Sequence, residues 1–183
     1  MVGWSTQGVH VGKFLVTVGC AALVGMAAGC SSSTTVVDHP TGSSSGAVAH
    51  VGDTLDLQSQ SGKHFSMTLT QIVDRAHGTN GATAPSGKRF VAVKFKVTNT
   101  SNQSVSAQGN TDATVVGSNS KTFLPDQQTL KECAGDTTQF HLAPGNSTNT
   151  CIAFVMRKSV NVALVQFYPA AGSAKAYGQW LVP

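Results

Sequence analysis

Between Thr54 and Val182 the apolar residues fall in short alternating runs, separated by turn formers at intervals of roughly 10–15 residues. The clearest run is Val91, Val93, Phe95 and Val97, which alternate with Ala92, Lys94, Lys96 and Thr98. Successive side chains of a strand point to opposite faces, so this pattern predicts a half-buried strand with both lysines on a solvent face. Phe65, Met67 and Leu69 alternate with Ser66, Thr68 and Thr70 in the same way. The phase then slips at Gln71-Ile72-Val73, the mark of a bulge or a strand end. Thr54–Leu57, Ala113–Gly117, Thr122–Leu124, Gln139–Leu142, Cys151–Met156, Val162–Tyr168 and Gln179–Val182 supply the remaining strands. Ser118–Lys121 reads as a hairpin connection, and Ala143-Pro144-Gly145-Asn146 as a tight turn with Pro and Gly where turn geometry wants them. Arg75–Lys88 reads as a long mobile loop, Asn99–Thr111 as a polar turn segment and Pro125–Cys133 as a stretch holding one helical turn. About eight short strands, with no long helix among them, predict an all-β protein, and an antiparallel sandwich is the expected architecture.

The first 49 residues break this pattern. Met1–Lys13 is weakly basic, and Phe14–Met26 (FLVTVGCAALVGM) is an apolar run of signal-peptide length. It falls short of the ~20 residues that a spanning helix needs. Ala27-Ala28-Gly29, then Cys30, then a run of Ser and Thr resemble a bacterial lipoprotein signal. In such a signal the small residues admit a signal peptidase and the Cys thiol takes a diacylglycerol. Ala27 stands where Leu is usual; Cys20, preceded by Thr17-Val18-Gly19, is a rival site that would leave an apolar run of only six residues. The expectation is a signal peptide over 1–29, lipidation at Cys30, a flexible Ser/Thr/Gly linker over 30–49 and one folded domain over 50–183. The membrane, reached through the N-terminal lipid, is then the first expected partner, and the domain lies on the extracytoplasmic face.

Composition narrows the classes further. Charged residues make up 11% of the chain, against roughly 25% in an average soluble protein, and the net charge is +4. So few and so scattered charges argue against a coiled coil, a charged tail or a dedicated nucleic-acid binder, so no nucleic-acid partner is expected. Once Cys20 is cleaved away and Cys30 acylated, Cys133 and Cys151 remain, with 17 residues between them. An even pair in an exported domain predicts a disulfide.

Three segments occur together in one family: Lys88-Arg89-Phe90-Val91-Ala92-Val93 leading to Val97-Thr98-Asn99, then Leu142-Ala143-Pro144-Gly145 before Cys151-Ile152-Ala153-Phe154-Val155, and the late Trp180. On these the chain, over roughly Val51–Val182, resembles the immunoglobulin-like domain of uncharacterised function found in many Gram-positive lipoproteins. It is also similar to the secreted mycobacterial antigens described as immunoprotective extracellular proteins. The resemblance implies a compact immunoglobulin-like β-sandwich displayed outside the membrane, and it transfers no catalytic or binding residue.

Candidate chemistry is sparse. Gly42-Ser43-Ser44-Ser45-Gly46 matches the hydrolase pattern G-x-S-x-G, and Ser118-Asn119-Ser120-Lys121 matches S-x-x-K. Both lack the helix that would present and activate the serine, so both read as composition. His64, Met67 and Met156 are soft donors suited to copper, but positions 64 and 67 of a strand face opposite sides. Asp53 and Asp56 are the one closely spaced pair of carboxylates, while Tyr168 and Tyr177 are candidates to line a surface site. No catalytic residue, metal ligand or cofactor is assigned. The expected function is a non-catalytic, lipid-anchored surface module that binds an envelope protein, a polymer or a small ligand. The alternative is an envelope metal-handling protein or enzyme.

Overall fold

The computed structural model describes residues 49–59, 61–169 and 177–183. The signal peptide, Cys30, the G-x-S-x-G match and the linker as far as residue 48 lie outside the described residues. The strands in chain order are β1 (Ala49–His50), β2 (Thr54–Gln58), β3 (His64–Ala76), β4 (Lys88–Asn99), β5 (Val105–Gln108) and β6 (Ala113–Gly117). They continue with β7 (Thr122–Phe123), β8 (Pro125–Asp126), β9 (Gln139–Leu142), β10 (Ser147–Arg157), β11 (Val162–Phe167) and β12 (Gly178–Leu181). One sheet has the order β2-β3-β4-β10-β8, a second the order β1-β12-β11-β6-β7, and β5 pairs with β9. All pairings are antiparallel except that of β1 with β12, which begins at Ala49, the last residue of the expected linker.

The alternating runs explain the core. Val91, Val93, Phe95 and Val97 of β4 are fully buried, as are Phe65, Met67 and Leu69 of β3. They meet Val165 and Phe167 of β11 and Trp180 of β12 across the gap between the sheets. Phe95 packs edge-on against Phe167 at 6.0 Å and lies 5.4 Å from Trp180, ring centre to ring centre. This aromatic knot joins the two layers and establishes the sandwich. The indole N–H of Trp180 donates to the Asp53 carbonyl at 3.0 Å, which satisfies its one polar atom.

Three expectations need correction, and one open alternative is resolved in favour of a bulge. The phase slip after Leu69 does not end the strand: β3 runs on to Ala76 through two register shifts, one between Leu69 and Gln71 and one between Asp74 and Ala76. The expected loop therefore begins two residues late, and a short 3-10 turn, Thr79–Gly81, lies within it. The polar segment after Asn99 contains β5 and a one-turn helix, α1 (Gly109–Asp112). Finally, Lys94 is not on a solvent face. An excursion of the chain after β8 crosses the outer face of the first sheet, and Lys94 is only 25% exposed beneath it.

Candidate functional site

That excursion, residues 127–136, is a cap. It leaves β8, reaches across to the end of β3, where Leu130 bridges Gly78, and returns through a 3-10 turn, Lys131–Cys133, to β10. Four kinds of attachment hold it. Leu130 is buried against Phe90, Ala92, Ala76 and Ala153 in a second, small apolar cluster. Cys133 forms a disulfide with Cys151 of β10, with Cα atoms 5.3 Å apart. The Lys94 ammonium reaches Asp136 at 2.9 Å and donates to the Glu132 carbonyl at 3.0 Å. Glu132 in turn accepts from the His77 backbone N–H at 2.9 Å and lies 2.7 Å from His77 Nδ1. Partial burial pushes the Glu132 carboxyl up, but these hydrogen bonds from His77 outweigh it and leave it below its ordinary value.

Between the cap, the β3 end and the 77–87 loop lies a cavity of about 470 Å³. Phe90 and Ala76, both nearly buried, line it together with small residues of the loop, among them Ala82 and Ala84. Gly78 is needed for this wall: a Cβ there would come within 2.4 Å of the Ala82 carbonyl oxygen. Arg75, His77, Lys131 and Lys158 also line the cavity, and all four are exposed. Arg75 is the bulged residue of β3 and holds a left-handed backbone at φ 61°, which costs a non-glycine residue energy and re-aims its side chain.

Arg89, also against the cavity, is 5% exposed and bonded through each of its three side-chain nitrogens. Its guanidinium donates to Asp74, to the Arg157 carbonyl and, at 2.9 Å, to the Val160 carbonyl. It staples the β10–β11 turn to β3 and is a positioning residue. Beside it Lys88 and Arg157 stand opposite one another in register, two like charges that repel.

The sequence holds 12 Lys and Arg; Lys13 and Lys175 fall outside the described residues, which leaves ten. Six of these ten (Arg75, Lys88, Arg89, Lys131, Arg157 and Lys158) gather around this one cavity or beside it. Among the described residues the carboxylates nearby are Asp74, paired with Arg89, and Glu132, paired with His77. None pairs with Arg75, Lys131 or Lys158. Sequence reading missed this site because its cations lie far apart along the chain and only the topology assembles them.

The other candidate residues take structural roles. Ser118–Lys121 is the β6–β7 hairpin tip, where the Ser118 hydroxyl accepts from the Asn161 N–H at 3.2 Å. Met67 and Met156 are fully buried while His64 is exposed, so the soft donors do not meet. Among the described residues no three His, Cys, Asp or Glu side chains converge as metal ligands. Asp53 accepts from the His50 N–H at 2.8 Å. Tyr168 and Tyr177 are brought together in a stack at 5.3 Å; partial burial, then the neighbouring Tyr177, pushes the Tyr168 phenol up. A wider cleft of about 640 Å³ lies near them at the other end of the sandwich, lined by Ser59, Ser61, Ser106, Gln108 and Thr111. Its hydroxyls already serve one another or the fold: Ser59 meets Ser61 at 3.0 Å, Ser106 meets His141 Nδ1 at 2.7 Å and Thr111 donates to the Gln108 carbonyl at 3.1 Å.

The fold and cavity define a β-sandwich module with a disulfide-locked cap over one outer face. The match of residues 51–176 to a single family model makes the assignment: the chain belongs to the family described as a domain of unknown function, DUF4352. No curated protein matches it in sequence. Among solved structures it is similar to yjhA of Bacillus subtilis, with 13% identity and a TM-score of 0.54 over 74% of this chain and all of that one. It is equally similar to MPT63, a secreted protein of Mycobacterium tuberculosis, with 11% identity and a TM-score of 0.54 over 76% of this chain and all of that one. A third likeness is to ycdA of Bacillus subtilis, described as a lipoprotein, with 10% identity and a TM-score of 0.52. That match covers 69% of this chain but only 38% of ycdA. Identities this low establish the fold, which the sandwich expected from the alternating runs and the family resemblance shares, and establish nothing finer.

Proposed function

We propose that the chain is an exported, lipid-anchored, non-catalytic binding module that takes its ligand in the capped cavity. Cys30 carries the lipid, the segment to residue 48 is the spacer, and the sandwich stands on the extracytoplasmic side of the membrane. The observation that carries this reading is the cavity itself. A long excursion is locked by a disulfide, the Lys94–Asp136 ion pair and the His77–Glu132 hydrogen bonds over a face that would otherwise be flat, and space is left beneath its edge. The disulfide fits an oxidising compartment. The S-x-x-K match sits at the β6–β7 hairpin tip and not at a helix N-terminus that would activate its serine, which supports binding over catalysis.

The anchoring is tested by labelling cells with a fatty-acid analogue and separating membrane from soluble material. The wild-type chain should carry label and sediment with membranes, and Cys30→Ser should lose both properties. Equal distribution of the two proteins, both unlabelled, would overturn the lipid anchor.

A further inference from the structure

We infer that the cavity takes a small organic anion, an alkyl phosphate or similar ester, with the anionic head at the rim and an apolar body against Phe90. This deepens the cavity-binding reading above and rests on it. The argument comes from where charge and apolar surface sit. Arg75, Lys131 and Lys158 are exposed on the rim and unpaired by any carboxylate among the described residues. Lys88 and Arg157 add like charge beside them. So many cations around one cavity make its mouth positive and attractive to an anion, and the left-handed, bulged backbone at Arg75 sets one more of them on its lining. The deeper surface is different. Phe90 and Ala76 line it, and the one buried cation there, Arg89, has each of its three nitrogens bonded within the fold, to Asp74 and to the carbonyls of Arg157 and Val160. A bare inorganic ion would meet the charge at the mouth but leave the Phe90 and Ala76 surface uncovered. An anion with a short alkyl or aryl body would satisfy both zones, and the small residues Ala82 and Ala84 keep room for that body.

The test is calorimetric titration of the purified full-length chain, with its disulfide formed, using hexyl phosphate, inorganic phosphate and hexanol as probes. Hexyl phosphate should bind at least about tenfold more tightly than inorganic phosphate, because its chain leaves water. It should also bind more tightly than hexanol. Lys131→Gln and Lys158→Gln, at exposed side chains that make no hydrogen bond or ion pair among the described residues, should each weaken hexyl phosphate about two- to fivefold without changing thermal unfolding. Thr83→Trp, which fills the cavity from its exposed wall, should abolish binding of every probe. Competition by phosphatidylglycerol vesicles would identify a lipid headgroup as the natural source. Absence of competition would identify a soluble ester, and either result upholds the inference. Equal binding of hexanol and hexyl phosphate, still blocked by Thr83→Trp, would overturn the anion while keeping the cavity as a binding site. Binding that Thr83→Trp leaves intact would overturn both, as would no binding of any probe.

Discussion

On its inner face the first sheet presents Val91, Val93, Phe95, Val97, Ile152, Phe154 and Met156, every one buried against the second sheet. On its outer face it offers Phe90, Ala92, Cys151 and Ala153, met by Leu130 and little else. The inner face needs no help, because apolar area removed from water supplies roughly 25 cal/mol per Å². The outer face has too little such area to hold ten residues of cap. It is held by a covalent bond and by charged contacts instead, each fixed to a particular atom. Specific attachments of this kind leave gaps between them, and the cavity is one. The comparison teaches that the face with the weaker core is the one free to carry a ligand.

Four changes would probe this difference, in falling order of effect. Phe95→Ala removes the ring at the centre of the inner core and should cost about 3–5 kcal/mol in urea unfolding. Replacing Cys133 and Cys151 together by Ser should cost about 3 kcal/mol, with amide exchange rising first in residues 127–136. If that double variant lost as much as Phe95→Ala, and uniformly, the cap would have to be counted as part of the main core. Asp136→Asn, which breaks the ion pair to Lys94, should cost about 1 kcal/mol because both partners retain some solvent. Glu132→Gln should give the smallest loss of the four at neutral pH, where the carboxylate is charged, and none once pH has fallen below the folded pKa. A carboxyl held below its ordinary value stabilises the fold above the unfolded pKa near 4.5, and that stability is lost as pH falls through the folded value. Unfolding midpoints of the wild type should therefore fall below about pH 4.5 more steeply than those of Glu132→Gln. Parallel curves would mean that the His77–Glu132 contact does not hold the cap.

The inner face was legible in the sequence because its signal is strictly periodic. Val91 to Val97 and Phe65 to Leu69 could hardly be read otherwise, and the slip at Gln71 did mark a bulge. What escaped is whatever depends on partners distant in sequence. Lys94 alternates like a solvent-facing residue, and nothing local says that Asp136 will come to cover it. β5 escaped for another reason: Val105 and Ala107 give only two apolar positions, too few to stand out in a polar segment. The second bulge, at Arg75, carries no apolar marker at all. The cavity combines these difficulties, since its cations come from β3, the cap and the β10–β11 turn, each of them unremarkable alone.

Trp180 gives the fold one more property. It lies in β12, which is inserted between β1 and β11, and its indole is bonded to Asp53, 127 residues earlier. Neither the aromatic knot nor the second sheet can close before residues 178–181 arrive. Synthesis from the N-terminus thus leaves the sandwich without its keystone until its last strand, β12, has emerged. For a protein proposed to be exported, that delay is useful. If the chain is exported as proposed, it crosses the membrane loose and closes its core on the outer side.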